Sequence, residues 1–152
     1  MFDLATLRLI WEPRMLSILR FVVGVLFLEH GLAKAFNFPA RPNHLPFHLF
    51  SLVPGVAGIL EMIGGVLIAV GLFTRPVAFL LAGEMAVAYF MSHAPRSFFP
   101  LLNGGEGAIL YCFTFLYLFV GGGGIWSLDQ LWAWGGRAPG AGPVELTRGP
   151  PG

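Results

Sequence analysis

Residues 15–36 read MLSILRFVVGVLFLEHGLAKAF, and this stretch decides the fold. At 1.5 Å per residue a helix of this length crosses a hydrocarbon core of about 30 Å. Yet it carries Arg20, Glu29, His30 and Lys34 where lipid should be. A charged side chain at mid-bilayer costs about 2.5 to 3.5 kcal/mol on insertion scales, so it faces a bundle interior, finds a partner, or serves a ligand or proton path. Three further apolar stretches repeat the combination. Val53 to Phe73 holds Glu61, Val77 to Ser92 holds Glu84 with His93 just beyond, and a fourth opens at Glu106 and runs to Val120.

Composition points the same way, with 56% of the 152 residues hydrophobic and 11% charged, far from the balance of a soluble domain. The expected fold is all-α: an integral membrane four-helix bundle with short interfacial helices at the termini. The first apolar stretch lacks a small-residue cleavage site and ends in Lys34, so a retained span is expected rather than a signal peptide. A net charge of +1 gives no reason to expect a nucleic acid as partner. The single cysteine, Cys112, excludes an intrachain disulfide and a dithiol mechanism.

Three regions are expected: an interfacial segment over 1–14, a membrane domain over 15–134, and a flexible Gly/Pro-rich tail over 135–152. The loop Asn37 to Leu52, with Pro39, Pro42 and Pro46, ends the first span. Thr74, Arg75 and Pro76 make so short a link that the second and third spans form an antiparallel hairpin, with the proline suited to the first turn of the next helix. Ala78, Ala82 and Ala86 recur every four residues and allow close approach of another helix. Gly121 to Gly124 ends the fourth stretch, after which Trp126, Trp132 and Trp134 mark an interface and Ser127 suits the cap of a short helix. Arg8, Arg14, Arg20, Arg75, Arg137 and Arg148 fall on one side of a four-span topology, and Lys34, Arg41 and Arg96 on the other. The positive-inside rule then expects both termini in the cytoplasm of a bacterial-type inner membrane, with Lys34, His44, His48, His93, Asn103 and Glu106 in the outer half.

Several of these residues suit chemistry. His30 and Lys34, four apart, share a helical face; together they move protons or hold an oxygen-bearing ring, or else Lys34 snorkels to the headgroups while His30 bonds a neighbouring carbonyl. Glu61 has Gly58 and Gly65 on its face, leaving space for a neighbouring backbone or a ligand, and its carboxylate pairs with Lys34 or His30 or takes up a proton. Glu84 and His93, nine apart, point about 180° away from each other on a straight helix. His93 is the better site candidate, and Glu84 is read as facing another subunit or the inner bundle. Asn103 and Glu106 fit a capping box, or with Gly104 and Gly105 a place for a small polar headgroup. His44 and His48 sit among prolines, and no spacing matches a metal site, so no metal is expected.

Taken in order, Arg20, Gly24, His30, Gly31 and Lys34, then Glu61, Gly64, Gly65, Gly71 and Thr74, then His93, then Gly104, Gly105, Glu106, Gly122, Gly124, Trp126, Ser127, Leu128 and Asp129 resemble the DoxX family of small four-helix membrane proteins. Glu84 departs from the apolar residue expected there. The resemblance implies membrane subunits of thiosulfate:quinone oxidoreductase or of membrane redox complexes that resist oxidative stress. In one reading a quinone headgroup enters between helices, His30, Lys34, Glu61, His93 and Asn103 bind it, and His30, Glu61 or Glu106 exchanges protons. In the other the chain is a non-catalytic accessory or assembly subunit of a larger complex, its polar residues forming interhelical pairs. A transporter or small-lipid binder stands behind both. Membrane lipid and protein subunits, different or identical, are the partners expected.

Overall fold

The structure, a computed structural model, describes residues 3–42 and 45–135. Six helices and no strands occur among them: α1 Leu4–Phe36, α2 Leu52–Val70, α3 Thr74–His93, α4 Pro100–Asn103, α5 Glu106–Gly121 and α6 Leu128–Gly135. Three of these, α1, α2 and α3, are long and apolar enough to cross a membrane. α5 is apolar too but shorter. His44 and residues 136–152 of the expected tail lie outside the described residues.

The first helix starts earlier than the apolar pattern suggests, at Leu4, and runs unbroken past Arg14 to Phe36. Pro13 lacks the N–H an α-helix needs at that point, and the chain passes it with a π turn over Leu7–Trp11, where Glu12 N donates to Leu7 O. Asn37 ends the helix in the left-handed region at φ 55°, which its short polar side chain tolerates. Gly71, at φ 72°, closes α2 in the same way, with Leu72 N reaching back 3.0 Å to Leu67 O. Pro76 falls in the first turn of α3, as expected.

α1 lies against α2 because glycines face each other across the contact. Gly24 and Gly31 on α1 meet the backbone of α2 near Gly65 and Gly58: a Cβ on Gly65 would come within 2.6 Å of Leu28 N, and one on Gly31 within 2.8 Å of Gly58 O. The space beside Glu61 is thus filled by a neighbouring backbone at Gly65. Both glycine pairs are seven residues apart along their helices, which keeps them on one face over two turns of an antiparallel pair. α3 packs on α2 and on α5, and Ala78 and Ala82 of the alanine stripe are buried in a core with Phe27, Ile68, Leu81 and Phe115. Those two alanines serve packing within the chain.

At the end of the molecule where α2 turns into α3, Arg20 is buried and its guanidinium donates to Gly123 O at 2.8 Å, Ile68 O at 2.6 Å, Trp126 O at 2.7 Å, and Ala69 O. These carbonyls lie at the C-terminal end of α2 and in the glycine-rich turn, where the helix dipole and unpaired carbonyls favour a cation. Asp129 completes the tie by accepting from Phe73 N at 2.7 Å and Thr74 N at 2.8 Å, so α6 caps the start of α3. Ser127 caps α6 itself, accepting from Gln130 N at 3.2 Å. The charge on Arg20 is therefore spent on architecture.

Around this framework the outward faces are apolar: Phe21, Ile63, Phe79, Leu110 and Phe113 are all more than half exposed. A water-soluble monomer does not carry a belt of this kind, whereas lipid tails solvate it without cost.

Candidate functional site

At the opposite end, a cavity of about 500 Å³ opens between α1, α2, α3 and the segment following α1. Its walls are largely apolar, with Leu60, Met85, Ala88 and Met91 among them, and its polar groups are Lys34, Glu61, Glu84, Ser92, His93, Arg41 and Arg96. Size and lining suit a small organic ligand held by a few convergent polar groups.

Lys34 Nζ donates to Glu61 Oε1 at 2.6 Å. The pair forms because Gly58, one turn before Glu61, has no side chain in the way: a Cβ there would sit 3.2 Å from Lys34 Cβ. Glu61 is 2% exposed and Lys34 20%, so the carboxylate is the buried member and the ammonium reaches it from the wetter side. Only one carboxylate oxygen is used. Glu61 Oε2 has no hydrogen-bond partner among the described residues, and neither oxygen of Glu84 has one. Buried oxygens of this kind are costly in an empty site and available to a donor that enters it.

His93 also lines the cavity. Its Nδ1 donates to Asn103 O at 3.1 Å, which leaves Nε2 as the acceptor of the neutral ring. On a straight helix His93 would face away from Glu84, but α3 ends in a π turn over Tyr89–His93, with Ala94 N bonded to Tyr89 O at 2.9 Å. The extra residue in that turn rotates everything after it, and both side chains reach one cavity.

Of the residues expected from the sequence to form the site, the structure thus gathers Lys34, Glu61 and His93. Asn103 is buried behind them: its Nδ2 donates to Ser97 O at 2.8 Å and its Oδ1 accepts from Gly105 N at 2.7 Å, pinning the turn whose carbonyl holds His93. That bond replaces the expected capping box, because Gly105 is the residue preceding α5 and Glu106 is its first residue, exposed and outside the cavity lining. His30 is exposed, donates from Nδ1 to Leu26 O at 2.9 Å and packs edge-on to Tyr111, away from the cavity lining. His48 is exposed. Among the described residues no three His, Cys, Asp or Glu side chains come together as a metal site. Glu84, Arg41 and Arg96 are the additions. Glu84 was visible as an acid inside an apolar helix, but the two arginines lie on loops and carried no signal of their own.

An all-helical chain with a lipid-facing apolar surface and an enclosed ion pair beside a cavity is an integral membrane protein. It belongs to the DoxX family: the sequence model of that family, described as DoxX, matches residues 15–94. The match takes in most of α1, all of α2 and α3, and therefore the residues on the cavity floor. Two curated relatives are similar over most of their length. One, from Haemophilus influenzae, is named "Uncharacterized protein" and is 42% identical over 79% of this chain and 92% of its own. The other, from Bacillus subtilis, is named "Putative oxidoreductase CatD" and is 30% identical over 74% of this chain and 82% of its own. No solved structure matches the chain.

Proposed function

We propose that this protein is the membrane-embedded subunit of a redox complex, of the thiosulfate:quinone oxidoreductase kind, and that the cavity between α1, α2 and α3 binds the ring of a quinone. The observation that carries the reading is the Lys34–Glu61 pair, buried under a largely apolar cavity, with one carboxylate oxygen left for a ligand. Lys34 spends one of its three N–H donors on Glu61 and has others for a ring oxygen, while Glu61 exchanges the protons that quinone chemistry consumes or releases. The relative named as an oxidoreductase supports the redox class. The electrons come from or go to a partner subunit, since quinone turnover needs a second redox couple. His30 and Glu106 have no place in this cavity and drop out of the proposed mechanism, with Asn103 as a positioning residue behind His93.

In the same reading α5 is a fourth span, made long enough by the segments flanking it, and both termini face the cytoplasm of an inner membrane. The site then opens toward the outer side. Heat unfolding in mild detergent tests the ligand: duroquinone should raise the midpoint of the wild type, because a ligand that binds only the folded state stabilises it by mass action. Glu61→Gln should fold and lose most of the shift, while His30→Ala should keep it. A wild type indifferent to saturating duroquinone refutes the quinone site and leaves an accessory subunit as the better account.

A further inference from the structure

At the Arg20 end of the molecule a second cavity, of about 510 Å³, opens between α1, α3 and the glycine-rich turn that leads into α6. Its cationic side chain is Arg75, whose Nη1 donates to Phe119 O at 2.9 Å and Val120 O at 2.7 Å, near the end of α5. Those bonds hold the guanidinium against the turn, with Nη2 3.3 Å from where a Cβ on Gly122 would stand. Nε and Nη2 remain without a partner among the described residues, and Arg75 makes no ion pair among them. Beside it Thr74, 0% exposed, also lines the cavity and carries a hydroxyl that likewise bonds to nothing among the described residues.

The turn adds main-chain donors. Arg20 binds Gly123 O and Trp126 O from the core side, and a trans peptide points its N–H opposite to its C=O, so the N–H groups of Gly124 and Ser127 face away from Arg20. Neither meets a protein acceptor among the described residues, and a guanidinium bonded to the carbonyl of the same peptide strengthens each as a donor. The carboxylate in the lining, Asp129, has each oxygen engaged by a backbone N–H, and the charge of Arg20 behind the turn offsets its own. A guanidinium, a buried hydroxyl and a glycine turn around one cavity suit a tetrahedral oxyanion, whose oxygens point in several directions. The remaining wall includes Leu16 and Pro76, and Phe79, one turn beyond Arg75 on α3, is 61% exposed in the lipid-facing belt. We propose that this cavity binds the phosphodiester of a membrane phospholipid, with the acyl chains running along the belt past Phe79. A free phosphate presents the same oxygens without the tails, so the two sources are separable by experiment.

The test uses the full chain, delipidated in detergent and titrated with dioleoylphosphatidylglycerol, dioleoylglycerol or inorganic phosphate while the heat-unfolding midpoint is followed. The phospholipid should raise the midpoint saturably. Dioleoylglycerol, with the tails but no phosphate, and inorganic phosphate, with the oxyanion but no tails, should each bind at least about ten-fold more weakly. Thr74→Val removes a hydroxyl that bonds to nothing among the described residues, so it should fold at least as well as the wild type and bind the phospholipid about three-fold or more weakly. Arg75→Gln should weaken binding at least about ten-fold, whereas Arg8→Gln, which removes an exposed arginine outside this cavity, should change it by less than about two-fold. No saturable shift with the phospholipid, or an equal loss at Arg8 and Arg75, overturns the site. An equal shift with dioleoylglycerol overturns the recognition of phosphate, and inorganic phosphate binding as tightly as the phospholipid overturns the lipid as its source. None of these outcomes bears on the ring cavity at the opposite end.

Discussion

Removing Lys34 should cost more than removing Glu61, and removing both should cost less than the sum. The asymmetry follows from burial. Lys34→Met leaves the Glu61 carboxylate 2% exposed with neither oxygen bonded to a protein donor, and breaking a buried pair by deleting one partner costs about 3 to 5 kcal/mol. Glu61→Gln leaves an ammonium that is 20% exposed and lines the cavity, so it can draw on water there; about 1.5 to 3 kcal/mol is expected, the cost of a lost hydrogen bond to a charged group. In the double variant no charge is stranded, and about 1 kcal/mol remains for altered packing. The coupling between the two sites is then at least about 3 kcal/mol. Unfolding in mixed micelles, followed by circular dichroism, measures all four species. Losses that add to within about 0.5 kcal/mol would show that the pair contributes no stability, whatever its geometry.

The same assay checks three other features of the architecture. Arg20→Gln should destabilise by at least about 3 kcal/mol, since it strands several buried carbonyls, and Arg20→Lys should rescue only part because a point charge cannot fork to four acceptors; a fully stable lysine variant would contradict the tie. Gly65→Ala should cost about 1 to 3 kcal/mol by driving a Cβ into the backbone of α1 at Leu28. Gly83→Ala, next to Glu84 but facing open space, should be neutral or gain about 0.5 to 1 kcal/mol, and equal effects at the two glycines would argue against a tight α1–α2 contact. A reporter active only in the periplasm, fused after Gly152, should stay silent; strong activity would place the cavity on the cytoplasmic side.

Much of this protein was determined by sequence alone because the relevant physics is local. Apolar runs long enough to cross lipid and Pro76 in the first turn of α3 follow from hydropathy and backbone sterics within a few residues of each position. The Lys34–Glu61 pair was legible as one of two candidate pairs for the same reason: a buried carboxylate needs a cation, and few were available. What lay beyond reach depends on how helices rotate against one another. Glycines seven apart on α1 and α2 decide which faces meet, and only the packed backbones show that Gly24 and Gly31 oppose Gly65 and Gly58. His30, one turn from Lys34, turns outward for that reason. Arg20 could not be told from a site residue until its carbonyl partners, from residues 68 to 126, converged on it. Glu84 and His93 needed one π turn to share a cavity, and the arginines at the mouth came from loops that no periodicity describes. Local patterns set the elements and their polarity, whereas azimuth, register and loop closure are global variables, and those three selected which charged residues became the site.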